Sequence, residues 1–124
     1  MSRIHILFVA ALAMLALALA GAAQASTQLT GTLAGKVGPG FTITLTQNGK
    51  SVKNTTLKAG TYKVNVNDLG TIHNFHLFGP GVNKKTSVAG TGKVTWMVKL
   101  TKGSYTYRCD IHFASGMIGH FKVK

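Results

Sequence analysis

The chain of 124 residues contains a single cysteine, Cys109, and this scarcity limits what the thiol can do. One cysteine cannot form a disulfide bond within the chain, so it is inert, bonded to another chain, or used chemically. The sequence also lacks a long helical period, a block of like charges and a low-complexity linker. A long amphipathic helix and an extended linker are therefore not expected.

Acidic residues are also scarce. Asp68 and Asp110 stand against 14 lysines and arginines, which gives a formal net charge of +12. Such a charge attracts anionic partners or maintains solubility, and the scattered positions of the lysines favour solubility. Nucleic-acid binding is not expected, because the aromatic residues fall at alternating positions typical of a core rather than between basic residues.

The first 25 residues have the layout of a secretory signal peptide. Arg3 precedes an apolar run at residues 6–20, and the motif AQA ends the segment. The run is short for a spanning helix, so cleavage near Ser26 is favoured over a retained membrane anchor. We expect an exported, periplasmic or extracellular protein whose residues 26–124 form one domain, with membrane contact only through an uncleaved segment. An exposed free thiol is unfavourable in an oxidising compartment, so Cys109 should be buried or ligated.

Alternating apolar and polar residues are the recurring pattern of residues 26–124. TYKVNV and VTWMVKL each place apolar side chains on one face of a strand, and Trp96 of the second segment is predicted to lie in the core. Asn48-Gly49 is a hairpin signal between two such segments. We expect an all-β, Greek-key sandwich or barrel of about eight strands. The predicted strands are residues 28–33, 41–46, 51–57, 61–66, 73–78, 94–100, 104–109 and 118–123.

The segment YRCDIHFASGM places three potential metal ligands on one short loop after a predicted strand. Cys109 is followed by His112 and Met117 in a Cys-x-x-His-x-x-x-x-Met spacing. A thiolate together with a thioether suits copper, whereas structural zinc sites use several cysteines or histidines. A trigonal copper site with two histidines, one cysteine and a weak axial methionine needs one more histidine.

The segment TIHNFHLFG offers two candidates for that histidine. His73 shares a strand face with Phe75 and Leu77, whereas His76 lies on the opposite face. If the apolar residues face the core, His73 meets the cysteine and His76 faces outward. His120 alternates with core positions of the last strand and is predicted to lie on the surface.

These residues resemble the metal-binding segments of a known family. GSYTYRCDIHFASGMIGHFKV is similar to the C-terminal copper loop of plastocyanins, and of small blue copper proteins (cupredoxins) generally, and HNFHLFG is similar to the segment with their first histidine. The resemblance implies a plastocyanin-like copper-binding domain at residues 26–124. It implies one type 1 copper ion with the ligands His73, Cys109, His112 and Met117.

The same resemblance implies that Asn74 lies beside the ligands and ties the two ligand segments together. Phe75 and Phe113 would shield the metal or simply pack in the core and at its rim. One departure concerns Ile111, because the residue before the loop histidine is often proline in plastocyanins. The difference could alter the rigidity of the loop and the reduction potential, although it removes no ligand.

By resemblance, the protein is expected to be a single-electron carrier rather than an enzyme, with its exposed edge at His112. Its partners would be redox proteins, for which an acidic docking face would suit the basic surface, and a monomer is expected. The main alternative is an exported copper-binding protein that buffers or delivers copper without electron transfer. A β-sandwich adhesion module with an incidental thiol does not explain histidine and methionine at ligand spacing.

Overall fold

The computed structural model describes residues 21–124, in which the chain forms ten strands and one short 3-10 helix. The helix is Phe113–Ser115. The strands are β1 Gly31–Val37, β2 Ile43–Gln47, β3 Lys50–Ser51, β4 Thr56–Leu57, β5 Gly60–Asp68, β6 His76–Gly79, β7 Val82–Lys85, β8 Gly92–Leu100, β9 Gly103–Arg108 and β10 Ile118–Val123.

The strands form two five-stranded sheets that enclose one core. The first sheet has the order β3-β2-β1-β5-β8 and the second has the order β4-β10-β9-β6-β7. Both sheets are mixed, because β1 pairs with β5 and β4 pairs with β10 in parallel while the other neighbours are antiparallel. The predicted all-β fold is confirmed, with ten strands rather than about eight.

The alternating pattern of the central strands places their apolar faces between the sheets. Val64 of β5 is buried and pairs with Trp96 of β8, and Tyr62 pairs with the buried Val98. Each fully buried side chain of this kind stabilises the fold by about 1.5–3 kcal/mol. Trp96 itself is only partly buried and packs against the core, so the prediction that it lies in the core is confirmed only in part.

The segment predicted as one strand at residues 51–57 is instead a crossing between the sheets. β3 belongs to the first sheet and β4 to the second. Between them Asn54 has a left-handed φ of 59° and donates its backbone N–H to the carbonyl of His120, 2.7 Å away. The predicted Asn48-Gly49 hairpin is confirmed, since both residues have positive φ between β2 and β3.

The N-terminal prediction falls mostly on residues whose structure is not described. Residues 1–20 of the predicted signal peptide, 1–25, lie outside the described part of the chain, and residues 21–25 are exposed without regular structure. Within residues 21–124, none of the helical structure has the length and apolar character needed to cross a bilayer.

Candidate metal centre

The loop between β9 and β10 holds Cys109, His112 and Met117 in a closed turn. Cys109 directly follows β9, and its backbone N–H donates to the carbonyl of Met117, 3.0 Å away. The antiparallel pair Arg108 and Ile118 lies just below this bond. His112 immediately precedes the 3-10 helix, so its backbone position is fixed by a short ordered turn. Both ends of the predicted ligand loop are therefore held by one hairpin.

His73 comes from the segment before β6 rather than from the strand itself. β6 begins at His76, but the alternation of inward-facing residues continues upstream, and His73, Phe75 and Leu77 are fully buried. The backbone N–H of Phe75 donates to the side-chain oxygen of Thr86, 2.9 Å away, which fixes this extended segment. The prediction that His73, rather than His76, faces the cysteine agrees with this arrangement.

Three potential ligand atoms converge at this end of the sandwich. His73 Nδ1 and His112 Nδ1 lie 3.0 Å apart, and Cys109 Sγ lies 3.8 Å from the first and 3.7 Å from the second. The centre of such a triangle is about 2 Å from each corner, which matches metal–nitrogen bonds of about 2.0 Å and approaches metal–sulfur bonds of about 2.3 Å. The three residues therefore form a possible metal site.

The donor atoms and their burial limit which metals the site could bind. His73 and Cys109 are fully buried, whereas His112 is half-buried and reaches the surface. One thiolate with two imidazoles lacks the additional cysteines or histidines of a closed zinc site and fits copper. Met117 is also fully buried on the same loop, and its thioether would be a soft fourth donor. The residues present fit the copper ion that the sequence implied.

Asn74 links the two segments that provide these ligand atoms. Its side-chain oxygen accepts the backbone N–H of Asp110 at 2.8 Å, and its side-chain N–H donates to Asp110 Oδ2 at 3.0 Å. A pair of bonds between the same two residues fixes both distance and orientation. The residue after His73 is thus bonded to the residue after Cys109.

Asp110 is a residue of the site that sequence reasoning did not single out. Burial raises the pKa of its carboxyl group, but hydrogen bonds from His76, Asn74 and Arg108 outweigh burial and lower the pKa to about 2. His76, predicted to face outward, is half-buried, and because a carboxylate only accepts, its Nδ1 donates to Asp110 Oδ1 at 2.9 Å. No spacing of residues in the sequence predicts this contact.

Phe41 is the second residue that the sequence did not reveal. Its ring packs edge-on against His73 at 5.3 Å and against His112 at 4.9 Å between ring centroids, although 59% of the residue is exposed. It covers the site from the loop between β1 and β2. Phe75 lies deeper and stacks on Tyr107, while Phe113 is at the rim.

Among the comparisons with known proteins, only the comparison with solved structures found matches. The sequence matches no family model and no curated protein. Among solved structures, rusticyanin from Thiobacillus ferrooxidans superposes with a TM-score of 0.56 at 24% identity, covering 75% of this chain and 76% of that chain. The fold is cupredoxin-like.

Two further structures agree with this assignment. Reduced rusticyanin has a TM-score of 0.57 at 24% identity, covering 75% of this chain and 78% of that chain. A structure described as the copper protein rusticyanin has a TM-score of 0.57 at 23% identity, covering 75% of this chain and 76% of that chain. At these identities the likeness shows the fold, and the resemblance to plastocyanins in particular stays a prediction.

Proposed function

We propose that this chain is an exported blue copper protein that carries single electrons between redox partner proteins. The observation that supports the proposal most directly is the triangle of His73 Nδ1, Cys109 Sγ and His112 Nδ1, with sides of 3.0–3.8 Å, at one end of a cupredoxin-like sandwich. Bound copper would supply the one-electron redox couple.

The ligands of the proposed site are His73, Cys109, His112 and, more weakly, Met117. Burial of the cysteine and of His73 keeps solvent from their donor atoms, and Phe41 covers the two imidazoles. With three strong donors and one weak one, the set leaves little room for a substrate, which supports a carrier rather than an enzyme. Asn74 holds the two ligand segments together through Asp110.

Exposed apolar side chains on the segments that carry or cover the proposed ligands support contact with a partner protein. Among the described residues, five of the seven exposed large hydrophobic side chains lie on the segments that provide or cover the ligands. These are Phe41, Leu69, Ile72, Ile111 and Phe113. A cluster of exposed apolar side chains is typical of an interaction surface. Electrons would therefore be exchanged at the end of the sandwich where His112 reaches the surface.

A copper buffer or delivery protein is the alternative function. Such a protein has to release its metal to an acceptor, whereas two of the three proposed strong ligands, His73 and Cys109, are fully buried, and Phe41 packs on the ring of His73. This burial favours retention of copper through redox cycles. Export, a periplasmic or extracellular location, and the monomeric state belong to the proposal and rest on the sequence alone.

The visible spectrum of the purified protein after addition of Cu(II) tests the proposed site. We expect an intense blue thiolate-to-copper band in the wild-type protein. Cys109→Ser should abolish this band, because a hydroxyl group is neither soft nor readily ionised. An equally blue Cys109→Ser protein would refute the site.

Two matched histidine variants and voltammetry complete the test. His73→Ala should lose the blue band, whereas His76→Ala should retain it, because only His73 is in the triangle of donor atoms. The wild-type protein should cycle reversibly between oxidised and reduced copper on an electrode without losing the metal. Loss of copper to a chelator on each reduction would favour the buffering function.

A further inference from the structure

The carboxylate of Asp110 accepts hydrogen bonds from three side chains in two segments of the chain, residues 74–76 and the end of β9. Its Oδ1 accepts from His76 Nδ1 in β6 and from Arg108 Nε at the end of β9, each at 2.9 Å, and its Oδ2 accepts from Asn74 at 3.0 Å. Hydrogen bonds to an ionised group are about twice as strong as neutral ones. Asp110 lies between Cys109 and His112 in the chain, so these bonds act directly on the proposed metal loop.

Arg108 holds the other half of the same loop. Its guanidinium carbon lies 4.5 Å from the centroid of the Phe113 ring and 5.1 Å from that of Phe78. Stacking of a guanidinium group on aromatic faces is favourable, and the planar group fits between two rings better than an ammonium group. Phe113 directly follows His112, whereas Phe78 belongs to β6. One side chain thus connects both halves of the loop to the sheet.

His76 extends these contacts to the neighbouring strand. Its Nε2 lies 2.6 Å from the side-chain oxygen of Asn83 in β7, and its ring packs on Phe78 at 4.6 Å between centroids. Ile111, in the middle of this loop, is 58% exposed and does not fix the backbone torsion that a proline ring would fix.

We propose that His76, Arg108 and Asp110 form a clamp, the Asp110 clamp, that holds the loop of residues 109–117 against β6 and so positions His112 relative to His73. The role of the clamp in positioning a copper ligand rests on the proposed function, but its restraint of the loop does not require a metal. The residues of the clamp are positioning residues, and each acts on the site through the loop. A binding constellation keeps its geometry only when its supporting side chains are themselves held in place.

Amide hydrogen exchange of the metal-free protein tests the clamp independently of copper. The amides of Ser115 and Gly116 donate to carbonyls within the loop and report its opening. Arg108→Ala should make these amides exchange about tenfold faster, the effect expected from losing one charge-assisted hydrogen bond. Asp110→Asn keeps the shape of the side chain and should also make these amides exchange faster. It provides a second test if the alanine variant does not fold.

Two control variants separate the clamp from simple charge effects. Lys122→Ala removes one positive charge from an exposed position on β10 and should leave loop exchange unchanged. Arg108→Lys keeps the charge but loses the planar group between the two phenylalanines, so the clamp predicts faster exchange than in the wild-type protein. Loop exchange in Arg108→Ala equal to that in Lys122→Ala would overturn the proposal.

The copper-loaded variants provide a spectroscopic measurement. If the clamp positions His112, Arg108→Lys should bind copper with broadened electron paramagnetic resonance lines, because the imidazole adopts more than one orientation. Wild-type line widths in Arg108→Lys would overturn the positioning role, even with charge and copper retained. A wild-type protein that fails to turn blue would instead refute the proposed copper function, while the exchange experiment on the metal-free protein still decides the clamp.

Discussion

Two glycines, Gly38 and Gly70, lie against the imidazole ring of His73. A Cβ atom added to Gly70 would lie 2.7 Å from His73 Cδ2, and one added to Gly38 would lie 3.2 Å from the same atom. Contacts below 3 Å force a neighbour to move, and His73 is fully buried with Phe41 packed on its ring. At the scale of single residues, the observed position of this proposed ligand therefore requires glycine, which has no side chain, at positions 38 and 70.

Gly70→Ala should accordingly displace His73 and weaken copper binding by about 10–100-fold, the range seen when residues supporting a metal ligand are changed. Competition titration of Cu(II) against a chelator measures the affinity. Gly40→Ala is the matched control, because a Cβ atom there meets nothing within 4 Å. Equal affinity in the two variants would mean that the ring has room to shift without cost.

The proposed ligands and the supporting residue Asn74 could be predicted from the sequence and its resemblance to a known family, whereas Phe41 and the contact between His76 and Asp110 could not. The spacing of Cys109, His112 and Met117 on one loop is local, and the parity that favours His73 follows from alternation along a short segment. Phe41 is distant in the chain from the two histidines it covers, and His76 is distant from Asp110. Their contacts arise only when the loop between β1 and β2 and the two sheets come together, and no periodic pattern encodes that approach.

At the scale of the strands, tyrosine rings of β9 lie on glycines of the neighbouring strands. Tyr107 pairs directly with Gly119 of β10, and a Cβ atom on that glycine would lie 2.1 Å from Tyr107 Cζ. Gly79 of β6 lies against Tyr105 in the same manner, at 2.3 Å from Cδ1. Tyr107 in turn stacks on Phe75 with an interplanar angle of 3°. These glycines leave room for the tyrosine rings of β9, the strand that leads to Cys109.

Gly119→Ala should therefore destabilise the metal-free protein by about 2 kcal/mol, within the usual cost of overpacking a core. Urea denaturation followed by tryptophan fluorescence gives the free energy of unfolding, and Gly40→Ala provides the control with open space at the new methyl group. A loss of less than about 0.5 kcal/mol, the range of ordinary surface substitutions, would show that Tyr107 can move aside.

Most strands with one buried face were predicted close to their observed bounds, although β1 was predicted at residues 28–33 and lies at Gly31–Val37. Strands without a buried face were predicted less well. The last strand was placed at residues 118–123, where β10 lies. The predicted strand at 51–57 breaks into β3 and β4 because the chain changes sheets there. β7 has a single buried residue, Val82, and was missed. Alternation reports burial on one continuous face, so it cannot show a crossing or an edge strand.

At the scale of the whole molecule, both acidic side chains are engaged in internal contacts. Asp68 is 2% exposed and accepts hydrogen bonds from Thr86 and from the backbone N–H of Gly70. Asp110 is held by its three donors. The outer surface of residues 26–124, which contain 13 of the 14 basic residues, is therefore dominated by lysines rather than by ion pairs. Positive potential should meet a partner from almost any direction.

Electron exchange with an acidic small redox protein should consequently slow as salt is added, since opposite charges steer the encounter. The Debye length is about 8 Å at physiological ionic strength, and it shortens as salt is added. At high salt the attraction between the two proteins therefore acts only when they are almost in contact. We would measure the second-order rate constant by stopped flow across a salt series with one acidic and one basic partner of similar potential. Exchange with the basic partner should be slower and should rise with salt, because screening then removes repulsion. A rate with the acidic partner that is indifferent to salt, or lower than with the basic one, would assign the lysines to solubility alone.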